Sequence, residues 1–144
     1  MQEYEALRLE NQLCFPLYAA SRRVVGLYKP HLDAIGLTYT QYIAMMVLWE
    51  EGPVSVKTLG ERLYLDSGTL TPLLKKMESA GWIARRRDPN DERSVIVTVT
   101  GEGMQLRDAA RDIPARMGAC IGLSAEEAGT LYTLLYKLLG QLEA

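Results

Sequence analysis

The chain has 144 residues, 48% of them hydrophobic, which is enough for one domain with a packed core. Its net charge of −2 excludes a polybasic nucleic-acid binder of the bulk kind, and one histidine with two cysteines cannot supply a standard structural zinc site, so no metal or cofactor is expected. No stretch is apolar for long enough to span a bilayer and no secretory leader is visible, so a cytoplasmic protein without a membrane partner is expected.

Leu9, Leu13, Leu17, Ala20, Val24 and Leu27 recur at helical spacing across residues 8–28. Pro16 interrupts this stripe, so the helix either kinks there or begins its regular part there. In both cases Cys14 lies near free backbone groups, a setting that favours a thiolate. Lys29-Pro30 is expected to end the element. Thr38 with Gln41 reads as a capping box, opening a helix that carries Tyr42, Ile43, Met46 and Val47 and stops at Gly52-Pro53. Ser55 or its neighbour starts a short helix through Leu59 and Leu63.

A second helix follows from caps within Asp66-Ser67-Gly68-Thr69, with Leu70, Leu73, Leu74 and Met77 on one face and Gly81 as its stop. A cap at Thr69 would place Pro72 in the first turn, where its missing N–H costs nothing. The opposite face carries Ser67, Thr71, Lys75 and Lys76, a surface suited to base edges and phosphates of a major groove. Trp82–Arg87 and the β-branched Ser94–Thr100 then read as a hairpin around a turn at Asp88–Arg93. Arg85, Arg86 and Arg87 on one arm and Arg93 at the tip suit a narrow minor groove, with Asp91 placed to fix the Arg93 guanidinium. Residues 57–93 hold eight Lys/Arg against six Asp/Glu, whereas the remainder holds eight against twelve. The positive charge thus lies where DNA would lie.

Thr100-Gly101 opens a helix expected to run to about Gly118. Ser124 with Glu127 is a second capping box, starting a last helix with Leu131, Leu134, Leu135, Leu138, Leu139 and Leu142. That apolar face exceeds what a small core covers and, with the first helix, suits a dimer interface. The expected fold is mainly α with a small β-hairpin wing (α+β): a winged helix-turn-helix at residues 37–103, with dimerisation helices in 1–36 and 104–144 of one 1–144 domain. No internal repeat or low-complexity linker interrupts it.

Asp91-x-Arg93, with a β-branched strand ending in Val99-Thr100-x-x-Gly103, resembles the wing signature of the MarR family. Leu9-Glu10-Asn11-Gln12-Leu13-Cys14-Phe15 and Leu63–Pro72 more specifically resemble its organic-hydroperoxide resistance regulators. The resemblance covers nearly the whole chain and is weakest at residues 1–6 and 115–130. It implies a homodimeric repressor, not an enzyme, that binds a palindromic double-stranded DNA operator when reduced and leaves it when an organic hydroperoxide oxidises Cys14. Tyr28 and Tyr39 match phenols that hydrogen-bond the thiol from the partner subunit, and Tyr18 matches a neighbouring aromatic. Asp66, Ser67, Thr69, Thr71 and Lys76 fall on the recognition helix. Cys120 matches the region of the resolving cysteine in the two-cysteine branch, whereas Pro16 departs from the pattern.

The chemistry has its own support. Thiolate attack on a peroxide gives sulfenic acid, which condenses with a nearby thiol. Leu13, Leu17 and Leu37 would favour organic peroxides over hydrogen peroxide. Two rival readings are a MarR-like repressor released by an aromatic ligand, and a thiol peroxidase with Cys14 as nucleophile and Cys120 resolving it.

Overall fold

The computed structural model describes residues 2–142; the expected domain limits at 1 and 144 lie outside them. Backbone contacts divide the chain into one unit up to Ile113 and another from Pro114 onward. The first unit opens with 3-10 turns at Gln2–Leu7 and Leu9–Asn11, followed by α1 (Cys14–Asp33) and α2 (Tyr39–Glu51). Next come β1 (Val54–Ser55), α3 (Val56–Leu63), α4 (Ser67–Ser79), β2 (Ile83–Asp88), β3 (Asp91–Val99) and α5 (Gly101–Ala110). Helix α6 (Ile113–Ile121) starts at the junction, and α7 (Ala125–Leu142) completes the second unit.

The start of α1 resolves the problem of Pro16. Leu13 is the N-cap and Cys14 the first helical residue, so Pro16 stands in the first turn, where no N–H is required. Leu9 and Leu13 therefore lie before the regular helix, and the apolar stripe becomes helical only from Leu17 onward. The preceding turns are tied by side-chain amides. Asn11 donates to the Glu5 carbonyl at 2.8 Å and Gln12 to the Ala6 carbonyl at 2.7 Å. Contrary to expectation, α1 continues through Pro30 to Asp33. The proline leaves the Gly26 carbonyl without its helical donor, and Leu32 beyond it is buried.

The core belongs to α2, α3, α4 and the sheet. Met45, Leu48, Leu59, Leu70, Leu74, Met77, Ile83 and Val97 form one buried cluster. Truncating Leu74, which is fully buried, would cost about 2–5 kcal/mol. The Thr38–Gln41 capping box forms and Tyr42 and Val47 are buried as expected, but Met46 is exposed, and Gln41, Ala44, Met45 and Leu48 complete the buried face. The strands form a three-stranded antiparallel sheet in the order β1-β3-β2, so the hairpin gains a short third strand, with Val54 opposite Val97. The turn is also tighter than expected. Asp88 pairs with Asp91, leaving Pro89-Asn90 at the tip and placing Arg93 inside β3.

The base of the wing explains the Val99-Thr100-x-x-Gly103 pattern. The Thr100 hydroxyl accepts from the Gly103 N–H and donates to the Gly81 carbonyl at 2.6 Å. The Trp49 indole donates to the Gly103 carbonyl at 3.0 Å. A Cβ on residue 103 would stand 2.2 Å from the Trp82 carbonyl oxygen, so only glycine fits. The single long helix expected after the wing is instead split into α5 and α6. Pro114 can donate nothing to the Ala110 carbonyl and its ring crowds it, which breaks the helix one turn earlier.

Candidate functional site

Cys14 and Cys120 are both exposed and unbonded. Cys14 occupies the first position of α1, where free backbone N–H groups gather, and its chain neighbours Leu13 and Phe15 are apolar and exposed. Leu13 is 85% exposed, and Phe15, Leu17 and Tyr18 are exposed beside it, whereas Leu37 is buried elsewhere in the unit. Cys120 lies on α6 in the second unit.

Tyr28 and Tyr39 meet edge to face, with ring centroids 4.9 Å apart. A third phenol, Tyr42, packs within 5.8 Å of Tyr28 and 6.3 Å of Tyr39. Burial raises the Tyr42 phenol above its ordinary value, and the two neighbouring phenols add to the effect. Tyr18 is not part of this cluster; the Arg22 guanidinium lies 5.4 Å from its ring centroid. Cys14 and Tyr28 sit on one continuous helix, and their separation in sequence corresponds to a rise of about 21 Å. Within one subunit, therefore, the thiol cannot reach these phenols. Beside the tyrosines a cleft of about 270 Å³ is lined by Val25, Gly26, Lys29, Leu32, Leu37 and Tyr39.

The second constellation is α3, α4 and the wing. Ser55 caps α3, and Tyr64 ends it in the left-handed region at φ 56°. Asp66, not Thr69, caps α4: its carboxylate accepts the Thr69 N–H at 2.8 Å, which holds the acid below the usual carboxylate range. Pro72 consequently lies beyond the first turn and costs the Gly68 carbonyl its donor. Leu70, Leu74 and Met77 face the core, with Leu73 partly buried. Ser67, Thr69, Lys75 and Lys76 are exposed, and Thr71 is half-buried. Ser67, Thr71 and Lys75 form one stripe at intervals of four, while Thr69 and Lys76 form a second stripe seven residues apart. At its C-terminus Gly81, at φ 87°, donates to the Glu78 carbonyl and Trp82 to that of Met77, which turns the chain directly into β2.

The wing arginines are not equivalent. Arg86, Arg87 and Arg93 are exposed. The Arg87 guanidinium donates to the Glu92 carbonyl at 2.7 Å, bracing the hairpin. Arg85 turns back to Glu78 of α4, at 3.1 Å. Asp91 accepts the backbone N–H of Arg93 at 3.1 Å rather than its guanidinium, so the expected forked pair is absent among the described residues.

A sequence model of the MarR family matches residues 37–95, which span α2 through most of the wing. The chain is 49% identical over 140 residues to the organic hydroperoxide resistance transcriptional regulator of Bacillus subtilis strain 168, covering 95% of this chain and 93% of that protein. The chain belongs to the MarR family. Reduced AbfR bound to DNA is 36% identical with a TM-score of 0.80, covering 98% of both chains. Overoxidized AbfR bound to DNA is 37% identical with a TM-score of 0.79, covering 99% of both. This MarR-family chain is thus a DNA-binding transcriptional regulator on a winged-helix fold. None of the helices among the described residues is long and apolar enough to cross a membrane.

Sequence reasoning missed four residues of these sites. Tyr42 reads as part of an apolar stripe, although its spacing from Tyr39 would have grouped the two. Glu78 carries no signal until the register of β2 is known. Asn11 and Gln12 show in sequence only as part of a motif, and their work is to hold the turns before Cys14.

Proposed function

We propose that this regulator is a homodimeric repressor of a palindromic operator that organic hydroperoxides release by oxidising Cys14. The Cys14 thiolate attacks the terminal peroxide oxygen, the O–O bond breaks, the departing alkoxide takes a proton from water and leaves as the alcohol, and the sulfur becomes a sulfenic acid. The Cys120 thiol of the partner subunit then condenses with it, forming a disulfide and releasing water. Tyr28 and Tyr39 of the partner subunit donate to the sulfur, with Tyr18 lining the approach. The expected dimerisation regions are residues 1–36 and 104–144, flanking a DNA-binding region at 37–103. The observation that carries this reading is the position of Cys14: a thiol at a helix start amid exposed Leu13, Phe15, Leu17 and Tyr18, on a surface that a second subunit would cover. The rise along α1 supports phenols arriving from the other subunit, since the chain's own are about 21 Å away.

On DNA, Ser67, Thr69 and Thr71 meet the major groove, Lys75 and Lys76 take phosphates, and Arg86, Arg87 and Arg93 serve the wing's minor-groove contact. Asp66 and Asp91 support these contacts through the backbone. AbfR was found on DNA in an overoxidized state, which supports assigning release to the disulfide rather than to added oxygen alone. Non-reducing electrophoresis tests the step. Cumene hydroperoxide should give a dimer-sized band that Cys120→Ser abolishes; a band that survives this change, or none in wild type, contradicts the pairing.

A second reading draws on the cleft beside Tyr39, whose largely apolar walls suit an aromatic ligand and whose Lys29 ammonium is paired with Asp33 at 3.1 Å. Release of DNA by such a ligand, with both cysteines replaced, would favour it.

A further inference from the structure

We propose that Glu78 and Arg85 form a strut that sets the angle of the wing against the recognition helix, making both positioning residues for DNA binding and leaving Arg85 out of contact with DNA. The proposal rests on the reading of α4 and the wing as the DNA interface. Its first support is register. Arg85 pairs with Val97, which is fully buried, and shares its side of β2 with Ile83, also buried. Side chains alternate along a strand, so Arg85 leaves toward the core and Arg86, opposite Ile96, leaves the other way.

The second support is how Glu78 receives it. One carboxylate oxygen accepts the Arg85 backbone N–H at 3.2 Å, and the other accepts Nη2 at 3.1 Å. The Arg85 side chain is 24% exposed, and its Nε is buried without a partner. The guanidinium is thus wedged against the end of α4 rather than extended into solvent. The third support is position. Glu78 lies one turn beyond Lys75, and only Ala80–Trp82 separate α4 from β2. A brace across so short a joint fixes the direction in which the hairpin leaves the helix. An acid this near a phosphate-binding face would repel DNA if uncompensated. Arg85 neutralises it in place.

The experiment compares operator affinity for wild type, Glu78→Ala, Glu78→Gln, Arg85→Met and the Glu78→Ala/Arg85→Met double variant. Arg93→Ala serves as control, and each protein is checked by melting temperature and by the rate of Cys14 oxidation. A strut predicts that Glu78→Ala and Arg85→Met each weaken binding by roughly tenfold and that the double variant is no worse than either alone. Glu78→Gln, which still offers an acceptor, should recover part of the loss. Hydroxyl-radical footprints should lose the flanking minor-groove protection while α4's major-groove protection persists, a split that general destabilisation would not produce. If Arg85 instead bound phosphate, removing Glu78 would free it and raise affinity; that result, or additive losses in the double variant, overturns the proposal. If Arg93→Ala also left affinity unchanged, the interface reading itself would fail and take the strut with it.

Discussion

At the scale of single residues, the proposed mechanism divides the labour between Cys14 and Arg93. Cys14→Ser should bind operator as wild type does yet stay bound after peroxide, because the nucleophile is gone and the DNA face is untouched. Arg93→Ala should do the reverse: affinity falls roughly tenfold and the log-affinity against log-salt slope drops by about one, while thiol oxidation is unchanged. Salt titration by fluorescence anisotropy and thiol counting check the two arms. Asp66 adds a pH dependence. The Thr69 N–H holds its native carboxyl below the ordinary value, so the cap stabilises the fold above the ordinary carboxylate range and loses that effect as pH falls through the lowered native value. Asp66→Ala should therefore lower the melting temperature at neutral pH and make no difference in strong acid.

At the scale of elements, the joint between wing and helices is held by the hydrogen bonds of Thr100 and Trp49 and by the close approach at Gly103. Gly103→Ala would press a methyl group against the Trp82 carbonyl, and we expect a loss of about 3 kcal/mol in chemical denaturation, the upper end for overpacking. Much of this architecture was legible in the sequence because its signals are local. The Thr38–Gln41 and Ser124–Glu127 capping boxes, the Ser55 cap and the Gly81 stop each depend on a few adjacent residues, and each forms. Prolines were harder to read, because a proline's meaning depends on its position in a helix. Pro16 is harmless in a first turn, Pro30 is carried through inside α1, and Pro114 breaks a helix. The site was legible only residue by residue. Run and spacing could not say that Arg85 faces inward while Arg86 faces out, because that follows from the pairing with β3.

The whole molecule is defined by what one chain leaves uncovered. Helix α7 buries none of its described residues, and Leu131, Tyr132, Leu134, Tyr136 and Leu138 are all exposed, as are Leu17, Tyr18, Val25 and Leu27 on α1. Apolar area of this extent calls for a partner of the same kind. A Leu134→Glu/Leu138→Glu variant should sediment as a monomer and lose operator binding. In a dimer two recognition helices must stand about 34–36 Å apart to enter successive major grooves. A disulfide formed across the subunits would alter that spacing, and several phosphate contacts would fail together. Anisotropy of labelled operator DNA with reduced and cumene-hydroperoxide-treated protein measures this coupling directly. Affinity should fall at least about a hundredfold on oxidation and return with dithiothreitol; protein whose Cys14 is quantitatively disulfide-bonded yet grips the operator as tightly as the reduced form would contradict the account.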